Sequence, residues 1–151
     1  MSTVNDWIKP GRSKLVKDIQ YMHEQFGVHK WLKDPNNLNK LREFMVFRLD
    51  FLEEEFEETQ KAFFKNDKEG VVDGLVDLIV VAIGTLDILG VDTDKAWNEV
   101  YRANMDKEPG IKESRPNPLG LPDMIKKPDW KGPNHEGNTG RLDEFLKIKN
   151  K

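Results

Sequence analysis

Residues 51–90 read FLEEEFEETQKAFFKNDKEGVVDGLVDLIVVAIGTLDILG, and two features of this stretch decide how the chain folds. Its first part carries five glutamates within six positions, Glu53 to Glu58. Its second part sets Asp77 inside the apolar run Leu75 to Leu86. A solvated helix face carries many carboxylates cheaply, whereas an Asp with apolar neighbours all round its helix needs compensation inside the fold. A divalent metal is the obvious candidate.

On the N-terminal side of this stretch, Leu38, Leu41, Met45, Leu49, Leu52, Phe56 and Phe63 recur at helical spacing. They predict one helix of about 28 residues from Asn37 to Phe64, long enough to be the spine of a bundle. Lys68 to Leu89 reads as the next helix, closed by Gly90. Asp92-Thr93-Asp94 offers caps for another, from about Asp94 to Lys107, with Trp97, Val100, Tyr101 and Asn104 on one face. Nearer the N-terminus, Ser13 caps a helix to about Phe26 with Leu15, Ile19, Met22 and Phe26 on one face, and Gly27 stops it. The segment with Trp31 and Asp34-Pro35 reads as a loop, and no strand pattern appears. Six of the eight prolines lie between Pro109 and Pro133, which predicts an extended arm followed by a short amphipathic piece with Leu142, Phe145 and Leu146. The expectation is an all-α bundle of about four core helices spanning residues 1–108, with a Pro-rich arm and short helix over 109–151.

At 151 residues the chain has room for one main core. Its net charge is -3 and its basic residues are scattered, which leaves no electrostatic footprint for a nucleic acid polymer. There is no cysteine, hence no disulfide, thiolate metal site or Cys nucleophile, and a reducing, cytoplasmic compartment is the expectation. The opening Met-Ser-Thr-Val-Asn-Asp-Trp lacks the pattern of a signal peptide. Val71 to Leu89 carries Asp73, Asp77 and Asp87, each costing roughly 2.5 to 3.5 kcal/mol at mid-bilayer, so it is expected as a buried helix and not a membrane span.

At about 100° per residue, Leu52, Met45, Phe56 and Phe63 form the predicted main core stripe. Glu54, Glu55 and Glu58 share another sector with Phe44, Phe47 and Phe51, so that face is expected to be interior or interfacial; Glu53 and Glu57 point to solvent. On the next helix Asp73, Asp77, Val80, Gly84 and Asp87 line one side. Val76, Val80, Val81 and Ile88 make that side partly apolar, so Asp77 is expected to face another helix, with Gly84 letting that helix come close. Two antiparallel helices joined near Lys65 to Asp67 then bring Glu54, Glu55 and Glu58 opposite Asp77. All-oxygen ligands of this kind select a hard cation such as Mg²⁺ or Mn²⁺.

These residues carry a resemblance. From Arg48 to Lys107, FLEEEFEE, then VVDGLVDLIVVAIGTLDILGVD, then AWNEVYRANMDK, the chain resembles the all-α nucleoside triphosphate pyrophosphohydrolase superfamily, the MazG-like group that also contains HisE. The family pattern is EExxE on one helix and ExxD on the next. Glu54-Glu55-x-x-Glu58 matches the first half and Asp77 the closing Asp. Asn104, Met105 and Lys107, and the His23, Phe26, Gly27 element, are similar to those of phage-type members. The chain departs from the pattern at Gly74, where the family has Glu; the nearest acid is Asp73.

The resemblance implies a nucleoside triphosphate cut between its α- and β-phosphates, giving a nucleotide monophosphate and pyrophosphate in nucleotide-pool control. Glu54, Glu55, Glu58 and Asp77 would hold Mg²⁺, with Asp73 as a substitute ligand or the site one acid short. Asn104 and Lys107 suit phosphate or sugar contacts; Arg48 and His23 are weaker candidates for the substrate pocket. His29 and His135 have no metal-like spacing. A HisE-like phosphoribosyl-nucleotide hydrolase and a helical interaction module that lost catalysis are the alternatives. Assembly as a homodimer or homotetramer is expected, because apolar residues lie on more than one side of the helices. No GxxxxGK, GxSxG or HExxH signature is present.

Overall fold

The computed structural model describes residues 11–147. The architecture is mostly helical, with four long helices. The chain divides into two compact units, Met1–Thr93 together with Thr139–Lys151, and Asp94–Asn138. In the first unit α1 (Lys14–Gln25) is followed by α2 (Val28–Lys33), a 3-10 helix (Pro35–Lys40), α3 (Leu41–Phe64) and α4 (Lys68–Leu89), and α6 (Leu142–Leu146) returns to it. In the second, α5 (Thr93–Met105) leads into β1 (Glu108–Gly110) and β2 (Asp123–Ile125). No single helix among the described residues is long and apolar enough to cross a membrane.

Two turns of the first unit differ from the sequence expectation. Val28–Lys33 is helical where a loop was expected, because Gly27 takes φ 76° and lets a new helix start at once. Pro35–Lys40 winds as a 3-10 helix and α3 begins only at Leu41, with Asp34 accepting a hydrogen bond from the Asn36 amide (2.9 Å). At the far end of α3, Asp67 caps α4 by accepting from the Gly70 amide (2.9 Å), and α4 ends on Gly90 at φ 74°.

Leu32, Leu41, Ile88, Leu89 and Phe145 form the core of this unit, with Val28, Trp31, Phe44, Met45, Val91 and Leu142 packed against it. The ring of Phe145 is fully buried, worth about 1.5 to 3 kcal/mol of apolar burial. The main stripe expected on α3 is only partly covered: Met45 and Leu52 are half-buried, whereas Phe56 and Phe63 are exposed. Phe47 is exposed too, beside half-buried Phe44 and Phe51. Periodicity names the apolar sides of a helix but not which of them another element of the same chain covers.

In the second unit the proline-rich segment is not simply extended. Glu108, Pro109 and Gly110 pair antiparallel with Ile125, Met124 and Asp123. The indole N–H of Trp130 donates to the Ala103 carbonyl (2.6 Å), Arg102 donates to the Gly132 carbonyl (3.0 Å), and the Asn134 amide donates to Glu99 (3.1 Å). Three-residue strands bounded by proline carry no readable alternation, so sequence patterning does not announce them.

Candidate functional site

The α3–α4 pair is antiparallel, and the two helices lie close together at Gly74. A Cβ there would lie 2.1 Å from Thr59 Oγ1 and 3.2 Å from Thr59 Cα, so no side chain fits. Position 74, where the expected acid is missing, is thus packed against Thr59 of α3. Thr59 is itself fixed, its hydroxyl donating to the Glu55 carbonyl (2.7 Å).

Glu55, one turn back on α3, is buried. Burial pushes its carboxyl above the usual range, and the negative charges of Asp77, Glu58 and Glu54 push it further. The two helices thus bring these four acids close enough to act on one another. Glu54, Glu58 and Asp77 are exposed, as are Asp73, Glu53 and Glu57. Asp77 is exposed, yet near enough to α3 for its charge to act on Glu55. Among the described residues no Lys, Arg or His forms an ion pair with Glu54, Glu55, Glu58, Asp73 or Asp77. Carboxylates gathered without a protein cation suit a hard metal ion.

A second polar group lies further along α4. Asp87 is buried, and its Oδ2 accepts from His23 Nδ1 (2.7 Å) and from His29 Nε2 (2.7 Å). The other ring nitrogen of His29, Nδ1, lies 2.9 Å from Glu24 Oε2. Both ring nitrogens of His29 thus face carboxylate oxygens, which as carboxylates only accept. Burial alone would lower the His29 pKa, but the hydrogen bonds to Asp87 and Glu24 raise it. Burial likewise opposes ionisation of Asp87, yet the two histidines hold its pKa at about 2. The ligand atoms of His23, His29 and Asp87 lie within 4.8 Å of one another, a composition able to hold a metal ion, although contacts of 2.7 Å are those of hydrogen bonds. Spacing along the chain gives no reason to join His29 to His23 and Asp87. The signal in the sequence was Asp87 itself, an acid in the last turn of an apolar helix.

Arg48 of α3 stands beside this group. Its Nε donates to Thr85 Oγ1 (3.1 Å) and its Nη2 to the Val81 carbonyl (3.0 Å), and Cζ is 5.7 Å from the Phe51 ring centroid. Burial lowers its pKa. The space comes from Gly84, where a Cβ would meet Arg48 Nη2 at 2.7 Å and His23 Cε1 and Nε2 at 3.2 Å. Gly84 thus admits two side chains, one of them from α3.

Asn104 and Lys107 belong to the second unit. Lys107 lies beyond the end of α5; its Nζ donates to Asn104 Oδ1 (3.0 Å) and lies 5.1 Å from the Trp130 ring centroid, with Lys126 Nζ at 4.7 Å from the same centroid.

Residues 21–104 match the family described as PRA-PH, phosphoribosyl-ATP pyrophosphohydrolase. No curated protein matches the chain. The matched stretch contains the α3 and α4 acids, Arg48, His23, His29, Asp87 and Asn104, and stops short of Lys107.

Proposed function

The chain belongs to the phosphoribosyl-ATP pyrophosphohydrolase family, part of the MazG-like all-α nucleoside triphosphate pyrophosphohydrolase superfamily, and from this we propose a metal-dependent enzyme converting a nucleoside triphosphate to its monophosphate and pyrophosphate. The observation that carries the reading is the gathering of Glu54, Glu55, Glu58 and Asp77 across α3 and α4, near enough for the other three to act on Glu55, with no cationic side chain paired to them among the described residues.

In this reading Glu54, Glu55, Glu58 and Asp77 would hold Mg²⁺ or Mn²⁺, and Asp73 is the nearest acid to stand in for the one missing at Gly74. A cation held there would supply neutralisation of phosphate charge and a lowered pKa for the water bound to it. A carboxylate of the group takes the proton of the attacking water as it reaches the α-phosphorus, and pyrophosphate leaves. Asn104 and Lys107, in the second unit, carry donors suited to phosphate or sugar, and Arg48 and His23 are the weaker candidates for substrate contact. The catalytic unit works as a homodimer or homotetramer that covers the exposed apolar sides of α3 and α4.

The test is product analysis with Mg²⁺ and a panel of NTPs, dNTPs and phosphoribosyl-ATP. Monophosphate with pyrophosphate is expected; a nucleoside diphosphate with orthophosphate would overturn the mechanism. Turnover of phosphoribosyl-ATP alone would select the second reading, a phosphoribosyl-nucleotide hydrolase, which the family's description favours.

A further inference from the structure

Where α1, α2 and the end of α4 meet, the chain gathers metal-ligating side chains that the proposed reaction does not use. His23 belongs to α1, His29 to α2 and Asp87 to the last turn of α4. One ligand atom from each lies within 4.8 Å of the other two, and His29 and Asp87 are buried. His23 Nδ1 and His29 Nε2 both point at the same oxygen, Asp87 Oδ2, at 2.7 Å. Asp87 follows Asp77 by ten residues, about 15 Å along α4, so this group is distinct from the acids shared by α3 and α4.

Buried charge has to be paired or bound to a metal. Asp87 and Glu24 bring two carboxylates, with His29 between them: Nε2 faces Asp87 and Nδ1 lies 2.9 Å from Glu24. The Arg48 guanidinium reaches the edge of the His23 ring near Gly84, but it is bonded to Thr85 and to the Val81 carbonyl. A divalent cation at the meeting point of the two rings and Asp87 offsets both carboxylates. The outer contact fits as well, since a metal-ligating imidazole characteristically gives its other ring N–H to a carboxylate, which fixes the ring and raises its basicity. Four-coordinate bonds of about 2.0 to 2.2 Å set neighbouring ligand atoms about 3.3 Å apart, so the Asp87 oxygen has to withdraw from each ring by only about 0.6 Å.

We propose that His23, His29 and Asp87 bind one Zn²⁺ that ties α1 and α2 to the end of α4, with Glu24 as the residue that positions His29. Two imidazole nitrogens and one carboxylate oxygen suit zinc, whereas Mg²⁺ prefers oxygen throughout, so the two groups of this chain differ in the metal they select. Three protein ligands leave a coordination position for water. This inference does not depend on the pyrophosphohydrolase reading.

The experiment strips the untagged full chain with a chelator and titrates it with Zn²⁺ alone. The titration is repeated in the double variant Glu58→Gln/Asp77→Asn, which disables the acidic group. One equivalent of zinc per chain is expected in that double variant, with X-ray absorption showing two imidazoles on the metal and a melting temperature that rises with zinc. Glu24→Gln keeps an oxygen for His29 Nδ1 but removes its charge, and should weaken zinc binding about 10- to 100-fold. His29→Gln should abolish it. No bound zinc in the folded double variant, or zinc bound without imidazole, would overturn the proposal. Undiminished binding in folded His29→Gln would overturn it too; the first two readouts keep His23, His29 and Asp87 intact, so they decide the matter even where that variant does not fold.

Discussion

Glu55 is held where burial and three like charges oppose its ionisation, so neutralising it relieves the metal-free fold. Its folded pKa lies above the unfolded value of 4.5. The sign follows: metal-free stability is fullest below the unfolded pKa and is lost as pH rises through the folded one. Glu55→Gln should therefore melt higher than the parent at neutral pH without metal, with the difference vanishing toward pH 4; a lower melting temperature at pH 7 would contradict the charge argument. Glu54→Gln, Glu58→Gln and Asp77→Asn should stay folded and lose activity by about a hundredfold or more, with metal affinity lost in parallel calorimetric titrations. Glu53→Gln and Glu57→Gln exchange one solvated group for another and should stay within a few-fold of the parent. Asp73→Asn separates two ligand counts: a loss like that of Asp77→Asn makes Asp73 a ligand, and a few-fold effect leaves four.

At the scale of elements, the α3–α4 contact depends on Gly74. Gly74→Ala drives a methyl into Thr59, so the helices must part or the threonine must turn, and a loss of about 1 to 3 kcal/mol is expected from denaturant unfolding. Thr59→Ala removes the 2.1 Å clash and should restore part of it in the double variant, a coupling that independent sites would not show. The α1, α2 and α4 junction is electrostatic. Asp87 has its pKa lowered from 3.8 to about 2, which contributes about 2 kcal/mol above pH 4, lost as pH falls toward 2. The raised pKa of His29 works in the other direction: its contribution is complete below 6.5 and lost as pH rises through the folded value. Urea midpoints should accordingly fall on both the acid and the alkaline side, and Asp87→Asn should flatten the acid limb. An acid limb unchanged in that variant would place the loss in other carboxylates.

For the molecule as a whole, the apolar surface left open on α3 and α4 is the dominant fact. Phe47, Phe56, Phe63, Val72, Leu75, Val76 and Ile79 are all exposed, and contiguous apolar surface of this kind marks interaction sites, which motivates the proposed assembly. Sedimentation at micromolar concentration should show at least twice 17.5 kDa; a single 17.5 kDa species would remove the assembly.

The amino-acid sequence alone determined the helical class, the bounds of α4, and a set of acids shared between two successive helices, because hydrophobic period, caps and a glycine stop are local properties of the chain. It also marked Gly74 as a departure. Only the tertiary structure decided the rest. That Thr59 packs against Gly74, that Phe145 completes the core beside Leu32 and Leu89, and that His29 joins His23 on Asp87 are contacts between residues apart in the chain. Periodicity fixes the direction in which a side chain leaves its own helix, but the partner it meets is set by how the helices pack.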